Sequence, residues 1–399
     1  MVWISLSIYT SEKCSLACKY CFLKKNPEDA DWRTLKAILD WWFKVTGQKT
    51  HVHIFGTEPL YRYDLLQNVF DYADLLAKKT KKVLTKGITT NGVGLTKGVA
   101  EWLTEHNVSC LCSIDGMREQ HNKWRVYPNG SGSWDIVSSN FQRWVKLNPR
   151  AEAAFTVTPD SIPKLAENVD AIYKLGFWAV ALNKCVDSGP VYTSEDFKAL
   201  ALAFRKVNDL IVRYARRKQK KHIMFISNHT IKRAQNRAHK NVMTSCGAAK
   251  GSLATDIHGK IFICHRAVFD YDTFGVGDVW KGLDWRKIEE WRSRRNTHCL
   301  RCTMKECSPC YVINLIRNGD VMKTPWEACV YNELIEEASY DLDRQLKREG
   351  LYEWYCGPRR KQLIAKREGP ADGIKCGPTP IMDEKGRVIG EMTLKKVRK

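Results

Sequence analysis

No stretch of this sequence approaches the roughly eighteen uninterrupted apolar residues that a membrane-spanning helix needs. The first residues lack a basic region followed by an apolar core, so a signal peptide is not expected and a soluble cytoplasmic protein is. No long internal repeat is present. Acidic residues are scarce beside basic ones, 44 against 65, which leaves a net charge of +21. In an intracellular chain with C-x2-C pairs, the fifteen cysteines argue for metal rather than disulfides.

What is present describes a folded protein. At 399 residues, two or three domains are expected, and 44% apolar content with 14 tryptophans excludes a disordered chain. The positive charge is concentrated. Between Arg205 and Lys240, twelve lysines and arginines stand against Asp209 alone, about half of the whole excess. Such a field attracts polyanions or anionic substrates, although a solvated helix face has the same composition.

The hydrophobic pattern alternates between strand and helix. Strands are expected at 3–9, 51–55, 83–89, 108–114, 153–158 and 177–182, with helices at 31–45, after Pro59, and at 97–106, 134–147 and 163–175. Strand–helix repetition implies parallel strands joined by right-handed crossovers, an open barrel or a doubly wound sheet. Chemistry is then expected at the C-terminal strand ends. Beyond this unit come a basic helix at 194–219, a basic strand-containing bridge at 220–244, a cysteine-rich stretch and a polar helix to about Gly350. A tail with a hairpin around Asp383–Gly386 follows.

At the end of the first strand Cys14, Cys18 and Cys21 are spaced C-x3-C-x2-C. Four thiolates close a zinc site or hold every iron of a cubane, whereas three at this spacing suit a [4Fe–4S] cluster with one open iron. With Tyr20, they resemble the C-x3-C-x-Φ-C motif of radical S-adenosylmethionine (SAM) enzymes. The resemblance implies that SAM chelates the open iron and is cleaved to a 5′-deoxyadenosyl radical that abstracts hydrogen. Gly56-Thr57-Glu58-Pro59 resembles the family's Gly-Gly-Glu-Pro stretch, where Gly56 and Glu58 would meet the SAM amino group. Asn91 would contact its ribose or methionyl part. Ser113 and Arg125 resemble a carboxylate-binding pair, for which a planar guanidinium is suited.

A second set runs Cys246-x12-Gly259-x4-Cys264, Cys299-x2-Cys302-x4-Cys307-x2-Cys310, then Cys329. It resembles the SPASM domain of peptide- and protein-modifying relatives, with a loop two residues shorter than usual; a zinc ribbon is the alternative. By that resemblance Cys246, Cys264 and Cys310 would hold an inner auxiliary [4Fe–4S] cluster. Cys299, Cys302, Cys307 and Cys329 would hold an outer one. With only three thiolates, the inner cluster would keep an open iron for substrate or its electron. His265 stands where sulfatase maturases carry an aspartate, and is a candidate general base or a structural histidine. Cys110 and Cys112 alternate along a strand and are expected in the core; Cys185, Cys356 and Cys376 have no usable spacing.

The expected architecture is α/β: a partial (β/α)6 TIM-like barrel at 1–193, a basic helix and bridge at 194–245, a SPASM-like domain at 246–335 and a basic extension at 336–399. The expected cofactors are SAM and three [4Fe–4S] clusters. The expected partners are a peptide or protein substrate, anionic by the charge argument, and an external one-electron reductant such as flavodoxin or ferredoxin, with no membrane. Only thirteen residues precede Cys14, so a leader peptide is expected on the basic bridge, the tail or a separate partner. One alternative is an enzyme acting on a nucleic-acid base, which phosphate contacts along the basic stretch would suit. The other is a non-enzymatic cluster or zinc protein.

Overall fold

The computed structural model describes residues 3–23, 25–185, 189–234, 246–294, 299, 302, 304, 307, 309–357, 379–382 and 388–392. Six strands run in sequence order through one sheet: β1 (Trp3–Ile8), β2 (Thr46–Ile54), β3 (Val83–Thr90), β4 (Val108–Ser113), β5 (Glu152–Val157) and β6 (Ala179–Lys184). All neighbouring pairs are parallel. Helices return between them: α1 (Trp32–Val45), α2 (Tyr63–Thr80), α3 (Lys97–Glu105), α4 (Arg118–Trp124), α5 (Trp134–Leu147) and α6 (Leu165–Lys174).

The alternation of each strand sets its two faces. Val52, Ile54, Ile88, Cys110, Cys112, Phe155 and Val157 are buried, as the core reading of the two strand cysteines expects. On the other face of β2, His51, His53 and Phe55 are only partly covered. His51 and His53 bond the hydroxyls of Thr85 and Thr89 on β3 at 2.9 and 3.0 Å. One face is thus a core and the other a polar interior. In α1, Asp31 caps the start by accepting from the Thr34 N–H, and Leu35, Ile38, Leu39 and Trp42 form the buried stripe.

The sheet remains open and extends at both edges. The long helix α7 (Ser194–Arg216) leads to β7 (His222–Ile223), which pairs parallel with β6. The rest of the stretch read as a strand-containing bridge is helical over α8 (Met224–Ala234), because Ile226, Ser227 and Thr230 bury one helical face. At the other edge β8 (Ser252–Thr255) pairs parallel with β1. The antiparallel strands β9 (Lys260–Phe262), β10 (Gly275–Asp278) and β11 (Gly282–Leu283) continue from it. The cysteine-rich region is therefore built onto the same sheet. The helix Trp326–Arg348 packs against α7 and α8, and its Tyr331 hydroxyl donates to the Leu182 carbonyl of β6 at 2.9 Å.

Two further differences have local causes. α4 is short and polar and leaves no apolar stripe to read, and the expected 163–175 helix begins as a 3-10 turn at Pro159–Lys164 with Pro163 inside it. The tail hairpin forms between Thr379–Met382 and Val388–Met392. Its turn at 383–387, Cys376, and the basic residues Arg237 and Lys240 lie outside the described residues. No helix among the described residues is long and apolar enough to cross a membrane.

Candidate active site

The loop carrying Cys14, Cys18 and Cys21 leaves the C-terminal end of β1 and is pinned to the end of α4 and the residues just after it. The Ala17 N–H donates to the Val126 carbonyl at 2.7 Å, and the Lys19 N–H to the Trp124 carbonyl at 2.9 Å. Tyr20 stacks on Trp124 with ring centroids 5.7 Å apart, and its hydroxyl donates to the Asp115 carboxylate. Asp115, fully buried just beyond β4, also accepts from Arg125 Nε at 2.9 Å, Arg125 Nη2 at 3.2 Å and the Thr156 N–H at 2.9 Å. The Arg125 guanidinium lies 5.4 Å from the centroid of the Tyr20 ring.

Arg125 is therefore engaged by a protein carboxylate, and Ser113 stands partly buried at the end of β4. In the sequence Asp115 does not stand out, because Asp-Gly after a strand reads as a turn. Its distinguishing signal, an arginine ten residues on, is visible only once both ends meet.

Glu58 is the second buried brace. Its Oε1 accepts from the Leu60 N–H at 3.0 Å and the Thr90 hydroxyl at 2.7 Å, and its Oε2 from the Asn91 N–H at 2.6 Å. The Asn91 side chain in turn donates to Ser15 Oγ at 3.2 Å and Cys14 Sγ at 3.6 Å. One chain of contacts thus links the ends of β2 and β3 to the cysteine loop. Thr57, where the resembled motif has glycine, donates to the Ser11 carbonyl at 2.9 Å and ties its own loop to the residue before Glu12.

Gly56 has φ +130°, and a Cβ there would lie 2.6 Å from Cδ1 of Tyr9. Alanine at 56 should therefore destabilise the protein by about 1–3 kcal/mol through backbone strain and displacement of Tyr9. The midpoint of a urea titration measures it, and an unshifted midpoint would contradict the packing described.

Burial pushes the Cys14 thiol up to about 11, opposed by the Leu16 N–H that donates to it. Burial also raises Cys18, while the neighbouring Arg125 lowers it. Three partly buried soft thiol donors, with N–H groups and a cation nearby to offset thiolate charge, fit an iron–sulfur cluster. A bound metal would supply the charge that burial otherwise withholds from Cys14 and Cys18.

The downstream cysteines fall into two groups. Cys246, Cys264 and Cys310 are within electrostatic reach of one another, as Cys307 is of Cys299 and Cys329. The Asn332 amide donates to Cys307 at 3.3 Å, and Cys302 follows Cys299 in a tight turn, its N–H donating to the Cys299 carbonyl at 3.2 Å. No disulfide joins two of the described cysteines. Among the described residues no three Cys, His, Asp or Glu side chains converge as the ligands of a single metal ion must, so these thiols are spaced apart. Cys185 and Cys356 are buried elsewhere, at the ends of β6 and of the short helix Tyr352–Cys356.

Tyr9, the residue after β1, joins the two cysteine regions. It is buried with Cys264 and Cys21 both within electrostatic reach, and its hydroxyl donates to the His265 carbonyl at 2.9 Å. His265 packs edge-on to Phe55, centroids 4.4 Å apart. Burial and the adjacent Arg266 lower its pKa to about 4, so the ring is neutral at pH 7 and its charged form is disfavoured. Arg266 lies 5.4 Å from the Phe22 ring, beside the first cysteine loop.

The Radical SAM superfamily model matches residues 8–177. The chain carries a radical SAM enzyme domain. Among curated proteins it is 25% identical over 148 residues to the radical SAM cyclopropyl synthase TigE of Paramaledivibacter caminithermalis, covering 32% of this chain and 30% of that protein. It is 25% identical over 173 residues to the cysteine-type anaerobic sulfatase-maturating enzyme of Clostridium novyi, covering 41% and 45%. The chain thus spans less than half the length of these relatives. The radical SAM fold also matches a solved structure of native anSMEcpe with bound AdoMet and Cp18Cys peptide, with TM-score 0.71 at 15% identity over 87% of this chain and 99% of that one.

Proposed function

We propose that this protein is a radical SAM oxidoreductase that modifies a side chain of a peptide or protein. The observation that carries the reading is the joined pair of braces: Glu58–Asn91–Cys14 and Tyr20–Asp115–Arg125 hold one cysteine loop over successive parallel strand ends. When bound, the cluster and SAM supply a 5′-deoxyadenosyl radical that takes a hydrogen atom from substrate. Cys14, Cys18 and Cys21 would hold the SAM-binding cluster, with Glu58, Gly56 and Asn91 lining the place for SAM. The peptide ligand of the anSMEcpe structure and the names of the curated relatives favour a peptide substrate. His265, next to Cys264, would take a substrate proton near the inner cysteine set against the burial that disfavours its charged form; electrons would leave through the two downstream sets and return from an external reductant. Anaerobic reconstitution with iron and sulfide, then dithionite and SAM, tests the reading. It should release 5′-deoxyadenosine and methionine, and intact SAM after full reconstitution would reject it.

Glu58 adds a pH dependence. Burial raises its carboxyl pKa from 4.5 to about 7, against the three hydrogen bonds that favour the ionised form. Its folded pKa is thus above the unfolded one. The stabilising contribution is present below about pH 4.5 and is lost as pH rises through about 7. SAM binding should run the other way, because the N–H groups of its amino group need the ionised carboxylate as acceptor. Calorimetry should show affinity rising several-fold from pH 6 to pH 8, with the rise abolished in Glu58→Gln.

A further inference from the structure

The basic stretch is not absorbed by the site above, and the fold gathers part of it into a cleft. At the N-terminal ends of β5, β6 and β7, Pro149, Tyr173, Lys174, Trp178, Tyr214, Gln219, Lys220 and Lys221 line a cavity of about 480 Å³. This is the end of the sheet opposite the cysteine loop. Its lining is aromatic and cationic. Trp178 packs on His222 with centroids 4.3 Å apart, and the Tyr173 and Tyr214 rings meet edge-on at 5.5 Å.

The cations are neutralised only in part. Lys174 pairs with Asp170 at 2.8 Å, and Arg216, farther along α7, with Glu349 at 2.6 Å. Lys221 lies over the Tyr173 and Tyr214 rings and donates to the Phe177 carbonyl; Lys220 lies over Tyr355. Neither has a carboxylate partner among the described residues. Arg150 is within electrostatic reach of Lys220, and Arg213 and Arg217 of Tyr214. Helix-dipole compensation at the end of α7 accounts for Arg213, Arg216 and Arg217. It does not account for Lys220 and Lys221, which lie beyond the helix, or for the aromatic walls.

We infer that this cleft docks an acidic segment of the substrate peptide, carboxylates on the lysines and an apolar or aromatic side chain against Trp178 and Tyr214. The inference rests on the peptide reading above. A peptide fits better than a nucleic acid because the lysines gather beside aromatic walls at one cleft rather than tracking a backbone in a stripe. Geometry adds a constraint. The six residues of β6 separate the cleft from the strand ends by roughly 17 Å, so an extended peptide needs at least about six residues between docking segment and modified residue. A docked segment would then stay bound while the modified residue sits at the other end of the sheet.

The probe is a fluorescein-labelled peptide of repeated Glu-Glu-Leu triplets, followed by anisotropy on the reconstituted full chain. Lys220→Glu and Lys174→Glu should each weaken binding by about tenfold and Trp178→Ala by a similar factor, with affinity falling as salt rises. Lys78→Glu with Lys79→Glu, exposed on α2, should leave it unchanged. Lys174→Glu, on a mostly exposed side chain, keeps the test valid where Lys220→Glu does not fold. Equal losses in the α2 control, no binding, or tighter binding of a single-stranded oligonucleotide of matched charge would each overturn the inference. Dithionite-driven SAM cleavage should be untouched in the cleft variants; its absence in the unaltered protein would instead reject the underlying functional reading.

Discussion

Replacing Asp115 by alanine should cost about 3–5 kcal/mol of stability, because it leaves the buried Arg125 guanidinium without its counter-charge. Arg125 and Asp115 are 7% and 0% exposed, so water cannot take the carboxylate's place. The Tyr20 hydroxyl and the Thr156 N–H lose their acceptor in the same change. The damage reaches the cysteine loop directly, since Tyr20 lies between Cys18 and Cys21. Urea denaturation under anaerobic conditions gives the free energy, and SAM binding on the same samples gives the local effect. A double replacement, Asp115→Leu with Arg125→Met, should recover most of the stability, because a buried pair exchanged for apolar groups of similar volume is often neutral. It should not recover SAM binding if the loop needs Tyr20 held by a carboxylate. A loss below about 1 kcal/mol in Asp115→Ala would mean that the pair is exposed in solution.

Local periodicity made the β/α unit legible. The alternation along β2 to β5 and the one-sided stripe of α1 depend on neighbours within a few residues, so period and element coincide. The three cysteines of the first loop were equally legible, because their chemistry and spacing lie within eight residues. What escaped depends on contacts between distant segments. β8 pairs with β1 although some 245 residues separate them, and nothing in either strand announces the other. That pairing brings Cys264 and His265 to the end of β1, where Tyr9 reaches the His265 carbonyl. The resemblance suggested that the two cysteine regions cooperate; the sheet extension is the physical link. Asp115 was obscured for a similar reason, its turn-like sequence concealing a buried ion pair. Arg125 was legible as an important arginine but not as one whose fork a protein carboxylate already engages. The bridge after α7 holds the expected strand only at His222–Ile223, and the β-branched and aromatic residues that follow also satisfy a short helix.

The largest effect on activity should come from the first cysteine loop. If each of the three cysteine sets holds a cubane, as proposed, exchanging Cys14, Cys18 and Cys21 for alanine together should lower the iron content of reconstituted protein from about twelve to about eight atoms per chain. It should abolish deoxyadenosine release. Cys264→Ala should also remove iron, yet leave dithionite-driven SAM cleavage largely intact, because Cys264 groups with Cys246 and Cys310 and not with the first loop. The contrast makes the partition testable. If the site were one shared cluster, both changes would end SAM cleavage; if the downstream groups held zinc, Cys264→Ala would release zinc and leave iron unchanged. Electron paramagnetic resonance of the reduced proteins distinguishes these outcomes without turnover. The triple variant should lose the signal that SAM perturbs, and Cys264→Ala should keep it. Tyr9 predicts a finer point. It touches the His265 segment from the end of β1, so Cys264→Ala should shift the SAM-perturbed signal slightly, and Tyr9→Ala should produce a comparable shift with every cysteine in place. Unaltered spectra in both would mean that the two cysteine regions are electronically independent despite sharing one sheet.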